Sequence, residues 1–271
     1  MTDSAAAKSP VSLAISGAAG RMGKRLIALA GERPGEVTVS AALDAPNSPA
    51  QNQDAGTLAG VAALGVPVTA QLQTTPQVVI DFSVPAATRA LIAQCVERKI
   101  ALVIGTTGLT AEDQKAIDAA ATSIAILQAT NTGLGINVLL ALVEQTARRL
   151  GDAVDVEIVE VHHNLKKDAP SGTALSLAEA VGKGRGDGKE LVHGRAGHEV
   201  PRKRGTIGMH AVRMGDVVGE HTVYFGMGGE RIELKHVATN RDTFARGALR
   251  AAAFLAGKGP GRYTMRDVLG L

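Results

Sequence analysis

Short runs of Val and Ile, separated at regular intervals by helical stretches, constrain the first 130 residues more than any other feature. The runs are VSLAIS (11–16), VTVSAAL (37–43), QVVIDFS (77–83), IALVIG (100–105) and SIAILQA (123–129). They have the length of strands and are apolar on both faces, as strands buried in a parallel sheet are. Between them the pattern predicts helices at 20–30, at 84–98 with Pro85 in the first turn, and after Thr110. Thr110 is an N-cap with Asp113 three residues on, close to a capping box. Such alternation folds as a doubly wound α/β domain of Rossmann type, with helices on both faces of the sheet. The polar, Gly- and Asn-containing stretch 45–67 is expected to be a long loop.

After a strong helix at 134–150 the pattern changes. Val154, Val156 and Ile158 alternate along a strand, Pro170 stops it, and Ser171 opens a helix through Ala174, Leu175 and Ala178. A loop rich in Gly and charge follows at 182–205. TIGMHAVRM (206–214), DVVGEHTVYFG (216–226) and ERIELKHVAT (230–239) are separated by the short Gly-containing turns MGD and GMGG, which predicts an antiparallel meander. Residues 241–256 return to a helix. Two domains are expected: residues 1–130 plus 241–271 as a dinucleotide-type domain, and residues 131–240 as an inserted α+β domain.

Lys and Arg (29) nearly balance Asp and Glu (26), a net charge of +3 that describes a mixed surface and argues against a nucleic-acid partner. Cys95 is the single cysteine, so no internal disulfide is possible and a reducing compartment is expected. Residues 1–10 lack the basic and apolar regions of a signal peptide, and no run reaches the length of a membrane span. These features predict a cytoplasmic protein with no membrane partner.

SGAAGRMG places Gly17, Gly20 and Gly23 between a strand ending at Ser16 and a helix beginning near Gly20. A loop of this kind turns backbone N–H groups and a helix N-terminus toward a pyrophosphate. Asp44 ends the second strand, where an acid binds ribose hydroxyls. A tight turn beside a solvated aspartate is the alternative. The Asp44 carboxylate disfavours a 2′-phosphate and Ala45 offers no cation, so NADH is favoured. Arg21, inside the loop, leaves NADPH possible. GTTG (105–108) and ATNTG (129–133) end further strands at the same sheet edge.

The densest polar chemistry lies in VEVHHNLKKDAPSGTA (159–174), between a strand end and a helix start. The N–H groups of Ser171, Gly172 and Thr173 and the Thr173 hydroxyl can grip a carboxylate. His163 and Lys166 add positive charge, and His162 titrates near neutrality. A metal is not expected: adjacent strand histidines point to opposite faces, and no Cys or spaced acid completes a ligand set. PRKRG (201–205) is a solvated basic loop.

Taken together, GAAGRMG, DFSVPAAT, VIGTTGL, EVHHNLKKDAPSGTA, GTIGMHAVRMGDVVGEH and TFARGALRAAAFL resemble the 4-hydroxy-tetrahydrodipicolinate reductase (dihydrodipicolinate reductase) family. These are pyridine-nucleotide enzymes of lysine and diaminopimelate synthesis. The resemblance runs from Val11 to Leu269 in the family's order. It implies a homotetramer whose inserted domains bind the substrate, a small cyclic dicarboxylate, and build the central contacts. It also implies His162 as the acid–base residue and Lys166 as the proton donor, with His163, Gly172 and Thr173 on the substrate carboxylates. Gly17, Ala18, Ala19, Gly20, Arg21, Met22, Asp44, Gly105, Thr106, Thr107, Ala129, Thr130, Asn131 and Thr132 would line the cofactor.

Two departures stand out. Thr132 and Gly133 replace a larger residue and a Ser that the family usually carries near the nicotinamide, and Ala45 stands where many members have Arg. Two other readings remain at this point. A semialdehyde dehydrogenase would need a nucleophilic cysteine, and Cys95 in mid-helix is poorly placed. A redox sensor would not require His163, Lys166 and the anion-binding helix start together.

Overall fold

The computed structural model describes residues 9–186 and 190–271. Residues 1–8 of the polar lead and 187–189 of the charged loop lie outside the described residues. In chain order the elements are β1 (Val11–Ser16), α1 (Arg21–Gly31), β2 (Val37–Leu43), α2 (Ala55–Leu58), β3 (Val68–Thr69), β4 (Val78–Asp81), α3 (Pro85–Arg98), β5 (Ala101–Ile104), α4 (Ala111–Ala121) and β6 (Ala125–Gln128). There follow α5 (Leu134–Leu150), β7 (Asp155–His162), α6 (Gly172–Arg185), β8 (Leu191–His193), β9 (Ile207–Arg213), β10 (Gly219–Met227) and β11 (Glu230–Ala238). The chain closes with α7 (Asp242–Leu255), β12 (Gly261–Tyr263) and α8 (Met265–Leu269). The described residues divide into two compact units, one running up to Gly133 and including Asp242–Gly270, the other lying within Leu134–Arg241.

The first unit is a parallel sheet in the order β12-β6-β5-β4-β1-β2-β3. On one face Ala14, Val79, Leu102 and Ile104 pack against Leu91, Ile92 and Cys95 of α3 and Ile117 of α4. Helices α1 and α7 lie against the sheet as well, and α7 runs along β4, β5 and β6. Thr110 and Asp113 form a full capping box at α4. The expected long loop at 45–67 is more ordered than its composition suggests: Asp54 caps α2 by accepting from Thr57 N, and its carboxylate also accepts from Leu64 N and Val66 N. A side chain that satisfies three backbone donors can organise a stretch with almost no apolar pattern.

The second unit is a five-stranded mixed sheet in the order β11-β10-β7-β9-β8. Helices α5 and α6 cover its Val156, Ile158, Met209, Val223 and Phe225 face. The expected three-strand meander is corrected here. Only β10 and β11 form an antiparallel hairpin, whereas β9 runs parallel to β7, and β7 lies between β9 and β10. The link 214–218 steps across the end of β7, where Met214 N donates to the His162 carbonyl and Asn164 N to the Gly215 carbonyl. Five residues reach roughly 16 Å, ample to cross one strand at about 5 Å spacing, so the same short loop serves a hairpin or a crossing. Helix α6 and strand β8 also take up parts of the stretch expected as loop.

Candidate active site

The carboxyl ends of β1, β4, β5 and β6 are level. Phe82 N donates to the Ser16 carbonyl, Gly105 N to Asp81 and Ala129 N to Ile104. The segments beyond them, at Gly17, Phe82, Gly105 and Ala129, therefore share one edge, where open α/β sheets bind ligands. Gly17 has φ +77°, and a Cβ there would lie 2.4 Å from the Phe82 carbonyl oxygen; a Cβ on Gly23 would lie 2.1 Å from the Gly17 oxygen. Glycine at 17 thus meets both a left-handed backbone and a close approach between two strand ends.

Most N–H groups of this loop are engaged within the fold. Gly17 N and Ala18 N donate to Leu43 O, Gly20 N to Gly17 O, and Ala19 N to Asp44 Oδ2 at 2.7 Å. Among the described residues of this loop, the N–H groups with no such backbone partner are those of the first turn of α1, at Arg21, Met22 and Gly23. Arg21 is exposed and Met22 half-buried. Asp44 also accepts from Ala45 N at 2.8 Å, which orients its carboxylate. A cavity of about 520 Å³ runs past Gly17, Asp44, Ala45, Phe82, Val84 and Gln94.

Sequence reasoning missed Asp81, the fully buried residue beneath this edge. It accepts from the hydroxyls of Ser16 (2.7 Å), Ser83 (2.5 Å), Thr88 (2.6 Å) and Thr106 (2.9 Å). One carboxylate thereby ties together the loops after β1, β4 and β5. An acid closing the apolar run VVID was the available signal.

Several of the residues expected to line a cofactor reach the edge with their side chains turned inward. Ala18 is buried, and the buried Thr106 donates to Asp81 and accepts from Ser83 N. Thr132, 1% exposed, donates to the Phe244 carbonyl of α7 at 2.7 Å. A larger side chain at position 132 would have to enter the packed contact with α7, so this departure is accommodated in the core and not at the sheet edge. Asn131 Oδ1 accepts from Gly133 N, Ala129 is half-buried, and Thr107 and Thr130 are exposed.

In the second unit, β7 ends in the polar cluster. His162 is buried against the α6 side, and His163 is half-buried. Burial pushes the His162 imidazole below its ordinary range although Glu160 opposes this, so the ring is more strongly held neutral than its expected titration near neutrality implied. Glu160, absent from the sequence-based set, meets His162 Nδ1 at 2.5 Å, accepts two bonds from Arg213 at 2.8 Å each, and accepts from Ser171 N at 3.0 Å. His221 Nε2 lies 3.1 Å from Ser171 Oγ, and its ring stands edge-on to His162 at 5.1 Å. Burial, reinforced by His162, takes His221 down to about 3. The period of two along β7 pointed to Glu160, since residues 160 and 162 share a face; Arg213 and His221 come from neighbouring strands.

Ser171 is the N-cap of α6 and accepts from Ala174 N, while its own N–H goes to Glu160. The Ser171 N–H is therefore engaged within the fold, which removes it from the expected anion-gripping set of Ser171, Gly172 and Thr173. Lys166 pairs with Asp168 at 2.9 Å, and Arg213 donates to the Asp168 carbonyl. The loop thus presents its lysine already oriented. Among the described residues no cluster of His, Cys, Asp or Glu is placed to hold a metal ion, and no helix is long and apolar enough to cross a membrane.

Residues 11–132 match the family model described as dihydrodipicolinate reductase, N-terminus, and residues 135–269 the model described as dihydrodipicolinate reductase, C-terminus. The 4-hydroxy-tetrahydrodipicolinate reductase of Alkalilimnicola ehrlichii is 50% identical over 264 residues, covering 96% of this chain and 98% of its own. That of Halorhodospira halophila is 47% identical with the same coverage. The dipicolinate-bound dihydrodipicolinate reductase of Paenisporosarcina sp. TG-14 shares the fold, with a TM-score of 0.75 at 24% identity over 95% of this chain and 98% of that one.

Proposed function

This chain belongs to the dihydrodipicolinate reductase family, and we propose that it reduces 4-hydroxy-tetrahydrodipicolinate to tetrahydrodipicolinate with NADH, and less efficiently with NADPH, in lysine and diaminopimelate biosynthesis. The observation that carries the reading is the polar cluster at the end of β7, where His162 and Lys166 sit beside the start of α6. An anionic ring substrate needs all three: an anion-binding helix start, a cation and a proton-exchanging group.

A nicotinamide dinucleotide fits the first unit, since the Asp44 carboxylate is oriented by two backbone N–H groups beside a cavity of about 520 Å³. Gly17 to Met22, Asp44, Gly105 to Thr107 and Ala129 to Thr132 would hold it, with Ala18, Thr106 and Thr132 contributing through backbone only. When bound, the dinucleotide supplies a hydride to the substrate ring.

The chain's own residues do the rest. Gly172 and Thr173, at the positive end of α6, bind a substrate carboxylate, and His163 adds a donor to it. The substrate's 4-hydroxyl leaves as water, with the proton lost from C5, and the unsaturated ring so formed takes the hydride. Lys166, steered by Asp168, delivers the accompanying proton to that ring, and His162, as the acid–base group, adjusts the local charge as that proton leaves. Positioning and charge stabilisation supply most of the acceleration.

A homotetramer is supported by the second unit's sheet. Helices α5 and α6 both pack on one face, while the opposite face carries Val159, Val161, Val212, Tyr224 and Val237, of which Val212 and Val237 are exposed. A cytoplasmic location is supported by the lone buried Cys95. The test is NADH oxidation on adding freshly made dihydrodipicolinate synthase product. Stoichiometric NADH loss is expected, and binding of NADH without turnover would overturn the reading in favour of a sensor.

A further inference from the structure

One buried carboxylate joins two features that the chain supplies from separate elements. Glu160 is 1% exposed. Its Oε2 meets His162 Nδ1 at 2.5 Å and Arg213 Nη1 at 2.8 Å, and its Oε1 accepts from Arg213 Nη2 at 2.8 Å and Ser171 N at 3.0 Å. A guanidinium and a backbone N–H can only donate, and an ionised carboxylate can only accept. The hydrogen between Glu160 and His162 therefore belongs to Nδ1 of the imidazole. Nε2 is left as the ring's lone-pair atom, facing Gly219, where an added Cβ would approach within 3.1 Å.

We propose that Glu160 is a positioning residue: it fixes His162 as the Nδ1–H tautomer, so that Nε2 is the atom that exchanges a proton, and the same carboxylate anchors the start of α6 where the substrate carboxylate binds. The inference rests on the acid–base role of His162 in the proposed reaction. Arg213 makes the arrangement possible. Burial alone would push the Glu160 carboxyl up, but the Arg213 guanidinium, the His162 ring and the Ser171 N–H together bring it below its ordinary value. At neutral pH Glu160 thus stays ionised and accepting.

The charged and titratable groups facing His162 are Glu160 on β7, Arg213 on β9, His221 on β10 and Lys166 in the following loop. His221 is kept neutral by burial and engages Ser171 Oγ, so it does not compete for Glu160. No sequence spacing links Glu160 to Ser171 and Arg213; the three meet only through the pairing of β7 with β9 and the return of the chain into α6.

The decisive measurement is the ¹⁵N spectrum of His162 in the full-length wild-type protein. Protonated Nδ1 with unprotonated Nε2 is expected, and an Nε2–H tautomer would overturn the proposal whatever any variant does. Glu160→Gln supplies the functional arm. Its amide offers one acceptor and two N–H groups to four donors, so His162 must turn to Nε2–H in order to accept. The expected result is a fall in kcat of about 10²-fold or more, since a wrong imidazole tautomer can cost up to about 10⁴. NADH affinity should be unchanged, because the dinucleotide site lies in the other unit. A folded Glu160→Gln protein with kcat within about threefold of wild type and His162 still Nδ1–H would refute the role. Absence of turnover in the wild type would defeat the proposed function alone and leave the tautomer measurement standing.

Discussion

Replacing Ala45 by Arg probes the cofactor edge at its most informative point. Asp44 is half-buried, and each of its carboxylate oxygens accepts one backbone N–H, from Ala19 at 2.7 Å and Ala45 at 2.8 Å. Each oxygen keeps a lone pair for a ribose hydroxyl, and neither can donate to a phosphate. A 2′-phosphate brings about −1.5 to −2 charges at neutral pH. At roughly 5 Å from a carboxylate, with an effective dielectric of about 60, each unit pair repels by about 1 kcal/mol, so the phosphate loses about 2 kcal/mol. The expected outcome is a wild-type preference for NADH of roughly thirtyfold.

Position 45 is exposed, so a new guanidinium there works through a screened contact worth about 0.5–1 kcal/mol. Ala45→Arg should therefore move the ratio of kcat/KM values toward NADPH by about two- to fivefold in dilute buffer. The shift should shrink toward nothing near 0.5 M salt, an ionic strength chosen at roughly a 4 Å Debye length. The assay is initial-rate kinetics with both cofactors, wild type and variant, at two ionic strengths. A wild type that prefers NADPH tenfold would refute the reasoning and assign the phosphate to Arg21, exposed at the first turn of α1.

Lys166→Ala should lower kcat by roughly 10²–10⁴-fold, with NADH affinity measured by fluorescence titration nearly unchanged; a loss below about tenfold with KM intact would remove Lys166 as proton donor. Gly17→Ala meets both the φ of +77° and the Phe82 carbonyl at 2.4 Å. It should cost about 2–4 kcal/mol by denaturant titration and abolish NADH binding, and a fully stable variant would show that the strand ends part freely. The third concerns acid stability. Burial pushes the Glu157 carboxyl up, but hydrogen bonds from Arg195, His210 and Arg202 outweigh it and hold the group at about 2. Its folded value lies below the unfolded one, so its stabilisation is complete above about pH 4.5 and is lost as pH falls toward 2. Glu157→Gln should lower Tm at pH 7 and flatten the decline in Tm between those limits; an unchanged acid profile would discount the cluster.

Local pattern carried most of the first unit. Buried parallel strands are apolar on both faces and their helices are capped locally, so VSLAIS, IALVIG and the Thr110–Asp113 box announced β1, β5 and α4 without reference to anything distant. The start of α6 was legible for the same reason: Pro170, Ser171 and Gly172 terminate and initiate structure within a few residues. Alternation along β7 says which side chains share a face, but it does not say which strands lie beside it. The short link 214–218 fits a hairpin and a strand crossing equally, and only packing of the five-stranded sheet placed β7 between β9 and β10. That choice brings Arg213 and His221 to Glu160 and His162, and it turns a motif of residue types into a charged network with assigned donors. Likewise Asp81 looked like the end of a strand, and nothing in ATNTG showed that the Thr132 side chain points inward. The first became the anchor of three loops and the second a contact of α7, because buried polar groups must find partners and the partners lay on elements far away in sequence.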